Sequence, residues 1–316
     1  LGAGPQAKMA NLVNANRLVR KVQEKAAGIS AEFNLPPFAK ESLRGWFKKH
    51  TPSPSAGERG EIALFSTCTS DFNMPTTGIA AIQVLEHNGF RVQFPREQTC
   101  CGMPNLDGGD INSAMAKAKQ NVDTLYPLVA RGIQVVVPGP TCSYVLKKEY
   151  PELLGTEEAK LVAANTFDLM EFLNKQWRAQ TLKREFAKPL GRIAYHAACH
   201  LRAQKIGTPG RMLLSKVPDT EVDVIEECSA VDGTWGMKAQ YYELGLQYAQ
   251  KLVNGMRSAP YAALASDCPL SGQRIAKELN TQCYHPIELL NRAYGLPEVD
   301  AASHPPLGQE SKGAAE

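Results

Sequence analysis

Residues 90–104 read FRVQFPREQTCCGMP, where a short apolar strand runs into two adjacent cysteines and a glycine. The same plan occurs on either side: the apolar segment 62–65 precedes Cys68, and 133–137 precedes Cys142. Short apolar strands that alternate with helical segments predict a mainly parallel sheet. Ligands of such sheets bind beyond the carboxyl ends of the strands, so we expect the thiols that follow these strands to meet at one edge.

The strand–cysteine plan is repeated in the second half of the chain. Cys199, Cys228 and Cys268 follow in the same order, each 126 to 131 residues after its counterpart. The segments predicted as the strands before them are 192–195, 221–225 and 261–265. The sequence therefore predicts an α/β fold of two pseudo-symmetric repeats. Each repeat is a small, mainly parallel sheet flanked by helices, and a helical extension precedes the first.

Changes in composition divide the chain into four predicted parts. They are a helical extension and linker (1–57), a first cysteine-rich unit (58–185), a second, degenerate unit (186–296) and a disordered tail (297–316). Within the extension, 1–27 is predicted to be one helix that ends near Gly28. The basic, aromatic segment 38–50 fits a membrane surface or a partner, and equally a solvated helix with its aromatic side chains packed inward.

Composition and charge limit the class of protein. The chain of 316 residues is 43% hydrophobic and 21% charged, as ordinary globular proteins are. Its net charge of +3 gives no reason to expect a nucleic-acid partner, although residues 1–50 are basic. No apolar run approaches the roughly 20 residues of a membrane span, and no signal-peptide core begins the chain. Eight cysteines without a secretory signal therefore indicate a cytoplasmic location and a metal or redox use.

The first half offers four thiols, which suit a metal or iron–sulfur site. Cys68, Cys100, Cys101 and Cys142 match the four thiolates of a [4Fe–4S] cluster, and equally those of a tetrahedral zinc ion. Gly102 lets the backbone turn tightly beside bulky sulfide, a freedom that other residues lack. Buried cysteines that act as small apolar residues are the plain structural alternative, and the adjacent pair and the repeat argue against it.

A family resemblance is carried by four groups of residues. They are Cys100-Cys101-Gly102-Met103-Pro104; Thr141-Cys142 with Glu149-Tyr150-Pro151-Glu152; Tyr195-His196-x-x-Cys199-His200; and Cys283 with His285-Pro286-Ile287. Over about residues 10–295 the chain resembles the cysteine-rich CCG domain family of the heterodisulfide reductase B subunit. The likeness is strongest to the C-terminal region of the C subunit of anaerobic glycerol-3-phosphate dehydrogenases. It implies an iron–sulfur centre at the first site, which we expect to be a [4Fe–4S] cluster.

The function that the resemblance implies is electron transfer. A partner subunit that carries a flavin or an iron–sulfur cluster would supply electrons, and a quinone or a thiol would accept them. The protein would then be cytoplasmic, or peripheral on the cytoplasmic membrane. Such proteins usually carry a preceding ferredoxin-like domain, whose Cys-x2-Cys-x2-Cys run is not in this sequence. We expect that this domain is either absent or lost from a longer chain.

The sequence departs from the family pattern, in which each repeat ends in Cys-x-x-Cys. The departures are Val145 in the first repeat and Ser229, Ala230 and Ser271 in the second. The first site thereby keeps four thiols, so we expect an ordinary cubane-type cluster, or a variant of it, rather than the non-cubane clusters that five thiols hold in heterodisulfide reductase.

The second site keeps only three thiols, those of Cys199, Cys228 and Cys268. His196 and His200 lie close to Cys199 in sequence and are possible additional ligands. Zinc bound by three thiolates and one imidazole, an iron–sulfur cluster with one open iron, and a site without metal all fit these residues.

Three kinds of function fit the sequence. The first is an iron–sulfur electron-transfer subunit or module of a respiratory-type oxidoreductase. The second is a thiol or disulfide reductase whose substrate sulfur binds an open metal at the second site. The third is a scaffold stabilised by zinc. For none of these three functions does the sequence identify a catalytic residue.

Overall fold

The computed structural model describes residues 4–298 and contains two four-stranded parallel sheets. The first sheet consists of β1 (Glu61–Leu64), β2 (Arg91–Gln93), β3 (Gln134–Val137) and β4 (Thr166–Asp168). The second consists of β5 (Gly191–His196), β6 (Thr220–Ile225), β7 (Ala263–Ser266) and β8 (Cys283–Tyr284). Their spatial orders, β2-β1-β3-β4 and β6-β5-β7-β8, are the same. This confirms the predicted α/β fold of two repeats.

The strands of the first sheet are buried on both faces. Ile62 and Val136 pack into one apolar core, whereas Ala63 and Val135 pack into another on the opposite side. Parallel sheets covered on both faces consist of nearly continuous apolar residues, because no position faces water. This explains why the strands appear in the sequence as short apolar runs rather than as alternating patterns.

Helices connect the strands and cover the sheets. In the first half they are α1 (Pro5–Ala15), α2 (Arg17–Ala27), α3 (Leu43–Phe47), α4 (Pro75–His87), α5 (Met103–Asp107), α6 (Ile111–Val129), α7 (Pro140–Tyr144), α8 (Tyr150–Leu154), α9 (Glu157–Ala164) and α10 (Leu169–Arg178). In the second half they are α11 (Cys199–Ala203), α12 (Pro209–Leu214), α13 (Ala239–Met256), α14 (Pro269–Leu279) and α15 (Pro286–Ala293). Two π-helical turns (Thr69–Asn73 and Val145–Glu149) and a 3-10 turn (Trp235–Met237) complete these elements. Between residues 4 and 298, no helix has both the length and the apolar character needed to cross a membrane.

The N-terminal extension forms two helices, so the prediction of a single helix over 1–27 was wrong. The break lies at Asn16, whose backbone is extended and whose side-chain oxygen accepts from the backbone N–H groups of Leu18 and Val19. Asparagine competes in this way with the helix hydrogen bonds and favours the cap of a new helix. Gly28 ends the second helix with φ 70°, as its position in the sequence predicts.

The basic segment 38–50 forms only the short helix α3 and is docked against the first half. The guanidinium Nε of Arg44 lies 3.2 Å from the carboxylate of Asp71, in the π-helical turn after Cys68. Phe47 packs against Phe94 with ring centroids 4.7 Å apart, and Trp46 is partly buried against the core. Of the two arrangements predicted for this segment, the structure therefore has the one in which the aromatic side chains pack inward.

One apolar core continues from the first half to the second. Helix α4 packs against α15, and α10 packs against α12. Buried side chains from both halves, such as Leu173 and Leu214, belong to the same cluster. Across this boundary the Asn291 side chain donates to Gln83 Oε1 at 2.7 Å. The shared core thereby fixes the two sheets relative to each other.

Several short elements were not predicted. Strands β4 and β8 have three and two residues, too few for a recognisable apolar run, and their positions follow from pairing with β3 and β7. Helices α5 and α9 are similarly short. Most of the predicted tail, residues 299–316, lies outside the described residues.

Candidate metal centre

The four cysteines of the first half lie at the carboxyl edge of the first sheet. Cys68 follows β1 and immediately precedes a π-helical turn, Cys100 and Cys101 lie between β2 and α5, and Cys142 lies in α7 after β3. Strands β1 and β3 are neighbours, although β2 lies between them in the chain. This is the position where the strand order reverses, and open parallel sheets bind ligands there.

The four thiols of the first site lie close enough to interact with one another. Cys100 accepts hydrogen bonds from the thiols of Cys101 and Cys68, and these bonds lower the pKa of Cys100 well below that of an ordinary thiol. The same contacts raise the pKa of Cys68 and of Cys101, and Cys101 also contacts Cys142. The structure therefore brings together all four thiols that were expected to meet, and their contacts favour the thiolate form at Cys100.

The protein around these thiols supports negative charge. The backbone N–H of Gly102 and the positive charge of Lys117 both lower the pKa of Cys100 further. Cys101 is buried, whereas Cys68 is exposed, so the group opens to solvent on the side of Cys68. Backbone donors beside partly buried sulfur are what a thiolate-bound inorganic centre needs.

All eight cysteines are free thiols. Among residues 4–298, no three His, Cys, Asp or Glu side chains are arranged around one point as ligands of a single metal ion. The thiols of the first site are thus not arranged as a preformed tetrahedral site of the kind that zinc occupies.

Gly102 has a backbone conformation that suits glycine. Its φ is 95°, which side chains other than glycine rarely adopt. Its carbonyl accepts from the N–H groups of Asn105 and Leu106, which begins α5 directly after the cysteine pair. The glycine was predicted for its tight turn, and the structure has that turn.

Two buried residues that were not predicted hold the cysteine pair in place. The Asn121 side chain donates to the Cys100 carbonyl at 3.1 Å and to the Tyr150 hydroxyl at 2.8 Å, and its oxygen accepts from Thr99 N–H at 2.8 Å. The Tyr150 hydroxyl donates to the Cys101 carbonyl at 3.0 Å. Burial raises the pKa of Tyr150, so this hydroxyl keeps its proton.

A sequence signal for Asn121 was available. It is the one polar residue on the buried stripe of α6, which it shares with Ala118, Val122 and Leu125. A buried amide requires partners, so its place on this stripe indicates a structural hydrogen bond. Tyr150 gives no comparable signal, because its neighbours in sequence do not reveal what its hydroxyl contacts.

The three cysteines of the second half also lie near one another. Burial raises the pKa of Cys199, and the neighbouring Cys268 and Cys228 add smaller contributions in the same direction. Cys199 and Cys228 are exposed. The sulfur of Cys228 accepts from the backbone N–H of Ala230 at 3.3 Å.

The serines that replace cysteines in the second half bond to each other. Ser271 Oγ donates to Ser229 Oγ at 2.9 Å, and both residues are buried. Ala230, in the place of the glycine, keeps a positive φ of 50°. The second half thus keeps a positive φ at the position of the glycine, and it has a hydroxyl pair at two positions where the family pattern has thiols.

The two histidines beside Cys199 have different surroundings. Both ring nitrogens of His196 are engaged, Nδ1 with Ser266 Oγ at 2.9 Å and Nε2 with the Glu227 carbonyl at 3.1 Å. Burial lowers the pKa of His196 to about 4. His200 contacts Thr141 in the first half, through Nδ1 and Oγ1. These bonds engage both nitrogens of His196 but only Nδ1 of His200.

Comparison with known proteins places the first site in a family. Residues 62–147, which include all four of its cysteines, match the family described as CCG, a cysteine-rich domain. A lactate utilization protein A from Geobacillus kaustophilus is 31% identical over 187 residues, which are 56% of this chain and 75% of that protein. The chain belongs to the cysteine-rich CCG domain family.

Other members of the CCG family match more of the chain. The C subunit of anaerobic glycerol-3-phosphate dehydrogenase from Escherichia coli K12 is 27% identical over 292 residues, 92% of this chain and 73% of that protein. The B subunit of fumarate reductase (CoM/CoB) from Methanothermobacter marburgensis is 28% identical over 239 residues, 73% of this chain and 44% of that protein. The resemblance seen in the sequence is thereby confirmed.

Proposed function

We propose that this protein is an iron–sulfur electron-transfer component of an oxidoreductase, and that its first site holds a [4Fe–4S] cluster. The proposed ligands are Cys68, Cys100, Cys101 and Cys142. The observation that carries the proposal is the meeting of four free thiols, delivered by three separate loops, at the point where the strand order reverses. Such a cluster takes four cysteine thiolates and accepts and gives single electrons.

The chain's own residues fit this group. The donor set consists of thiols alone, and a thiolate is already favoured at Cys100. Asn121 and Tyr150 fix the backbone of the cysteine pair, and Gly102 supplies the close turn. Hydrogen bonds near the sulfurs and the burial of Cys101 would set the reduction potential.

The relatives support a role within a larger assembly. Two of them are named as subunits, one of a dehydrogenase and one of a reductase. We infer that this protein likewise receives electrons from a partner subunit that carries a flavin or an iron–sulfur cluster. A quinone or a thiol is the proposed acceptor, and a cytoplasmic location, free or peripheral on the membrane, is the proposed site of action. The proposed division of the chain is 1–57, 58–185, 186–296 and 297–316.

The second site is proposed to have a structural role and to hold no cluster. The hydrogen bond between Ser229 and Ser271 uses the two positions where the family pattern has thiols. The imidazole of His196 is occupied on both nitrogens, so it offers no free nitrogen to a metal. Three thiols without a fourth ligand leave an iron–sulfur cluster or a zinc ion incompletely coordinated.

The test is metal analysis of protein purified without oxygen. Iron and acid-labile sulfide should each be present at about four per chain, and dithionite should bleach the visible absorption and produce an electron paramagnetic resonance signal. The Cys101→Ala variant should lose the iron. The matched control is Cys283→Ala, because Cys283 is also a buried thiol but lies on β8 in the second half. A colourless protein with stoichiometric zinc at the first site would overturn the proposal.

A thiol or disulfide reductase is the second candidate, and the exposure of Cys199 and Cys228 favours it. Reduction of a substrate disulfide requires access to sulfur or metal, which an exposed site provides. Cys199→Ser distinguishes the two functions. If the second site is structural, the variant should keep the first-site signal and its electron transfer to an artificial acceptor. If that site is catalytic, disulfide reduction should be lost while the signal remains.

A further inference from the structure

A groove of about 540 Å³ lies between α10 of the first half and α12 of the second. Four basic side chains line it: Arg178, Arg184, Arg211 and Lys216. Arg178 lies in the last turn of α10, and Arg184 lies in the segment after that helix. Arg211 lies in α12, and Lys216 lies just after it. The site is thus built from both halves of the chain.

The positive charge of this groove is not compensated by the protein. No acidic residue lines it, and within residues 4–298 none of the four basic side chains forms an ion pair. The helix dipole accounts for a basic residue in the last turn of a helix, which explains Arg178 on α10 and Arg211 on α12. Arg184 is held over the ring of Trp177, whereas Lys216 has no such explanation. Like charges gathered in a concave surface raise the local concentration of anions.

A buried polar side chain faces the same groove with only a weak partner. Asn174 is 8% exposed, and its amide nitrogen donates to the thioether sulfur of Met212 at 3.7 Å. Arg178 contacts the same sulfur at 3.9 Å. A thioether is a poor acceptor, so both donors have capacity for a better one. A ligand oxygen would provide it.

Trp177 adds an apolar surface to the lining. The guanidinium of Arg184 lies 4.8 Å from the centre of its ring, and Phe186 stacks on the ring with centroids 6.0 Å apart. Guanidinium groups form paired hydrogen bonds with phosphate oxygens, and the edge of an aromatic ring can contact a planar ring. The volume is within the range of pockets that hold small organic ligands.

We infer that this groove binds a phosphate-bearing polyanion of about nucleotide size. It is distinct from the metal centre. Helix α10 begins where β4 ends, at the carboxyl edge of the first sheet, and the groove lies beside the other end of this helix. A nucleotide and an inorganic polyphosphate both offer a chain of phosphates to the basic side chains. Only the nucleotide also has a base, which could contact Trp177.

Isothermal titration calorimetry of the purified, iron-loaded protein tests the inference, with ATP and sodium tripolyphosphate as the two probes. Both should bind with one site per chain, and both should weaken as the salt concentration rises, because the attraction is electrostatic. Tighter binding of ATP would assign the ligand to nucleotides, and equal binding would assign it to the phosphate chain alone.

The variant for this test is Arg211→Gln with Lys216→Gln, which should weaken binding of both probes at least about tenfold because charge-assisted hydrogen bonds are lost. Both residues are exposed, so the variant should fold normally. Arg257→Gln, an exposed arginine after α13, is the control and should bind as the wild type does. No measurable heat with either probe at millimolar concentration would overturn the inference, as would unchanged binding by the double variant. Neither result depends on electron transfer, so the proposed function is tested separately.

Discussion

Thr141 Oγ1 lies 3.0 Å from His200 Nδ1. This contact joins the residue before Cys142, in the first half, to the residue after Cys199, in the second. Two further bonds strengthen this junction, because the Gln204 side chain donates to the Pro140 carbonyl at 3.1 Å and to Ser143 Oγ at 2.9 Å. Helices α7 and α11, which carry Cys142 and Cys199, therefore pack against each other. The second half, although it has lost thiols, still covers one side of the first site.

The first prediction concerns this junction. Gln204→Leu removes two hydrogen bonds, at a cost of about 1–3 kcal/mol for the pair, while the Pro140 carbonyl still accepts from Ser143 Oγ. The side-chain oxygen of Gln204 is itself buried without a partner, and its removal offsets part of that cost. We expect the free energy of unfolding to fall by about 1 kcal/mol in urea denaturation.

The same variant should also change the first site. Because Gln204 bonds to residues on either side of Thr141 and Cys142, its loss should shift the reduction potential measured by redox titration. Gln247→Leu, on the exposed face of α13, is the control and should alter neither quantity. An unshifted potential in Gln204→Leu would mean that the second half does not influence the cluster.

The second prediction concerns Tyr150. Tyr150→Phe keeps the ring but removes the donor to the Cys101 carbonyl and the acceptor of the Asn121 amide. Leaving buried polar groups unpaired costs about 1–3 kcal/mol, and the cysteine pair should hold its iron less firmly. We expect a lower iron content after dialysis against a chelator, together with a lower midpoint in urea. Tyr248→Phe, at a residue that is 63% exposed, should match the wild type in both.

The meeting of the cysteines could be predicted from sequence because it depends only on topology. Each thiol follows a short apolar strand, and parallel strands end at one edge. The parts that could not be predicted depend on side-chain contacts between distant elements. The clamp of Asn121 and Tyr150 joins α6 to the start of α8, and the partner of His200 lies in the other half. The break at Asn16 was missed because the apolar pattern continues through it, while a single side-chain cap decides the backbone.

The third prediction compares Gly102 with Ala230, its counterpart in the second half. A methyl group on Gly102 would meet only ordinary contacts, the closest being Ala114 at 3.6 Å, so any cost comes from the backbone. At φ 95° that cost is about 1–2 kcal/mol for Gly102→Ala.

Ala230→Gly should change the free energy of unfolding by less than about 0.5 kcal/mol. The variant relieves the backbone strain of a positive φ, but two losses offset this gain. Glycine makes the unfolded chain freer by about 0.4–1 kcal/mol, and the buried methyl contributes about 0.8 kcal/mol. Urea denaturation of both variants measures the contrast. Equal and opposite changes would show that the two turns are strained alike.

The fourth prediction concerns pH and Asp168, which ends β4 and caps α10. Burial raises the pKa of this carboxyl to about 7, from an ordinary value near 3.8. Between those two values the folded protein keeps a proton that the unfolded chain releases, so this group makes the fold less stable as the pH rises from about 4 to 7. Its contribution has a slope of about 1.4 kcal/mol per pH unit at most.

Asp168→Asn removes this titration and retains one oxygen, which can still accept from Met170 N–H as Asp168 Oδ1 does, while the amide nitrogen takes the place of Oδ2, the acceptor of Ser143 Oγ. The difference in unfolding free energy between variant and wild type should therefore move in favour of the variant as the pH rises from about 4 to 7. Urea denaturation at several pH values measures this difference, which cancels the titration of the shared groups that do not interact with Asp168; the pKa of Asp267, which the charge of Asp168 helps to raise, changes with the variant. The exposed Asp219→Asn should show a constant difference from the wild type. A constant difference for Asp168→Asn as well would mean that Asp168 is ionised throughout this range in the folded protein.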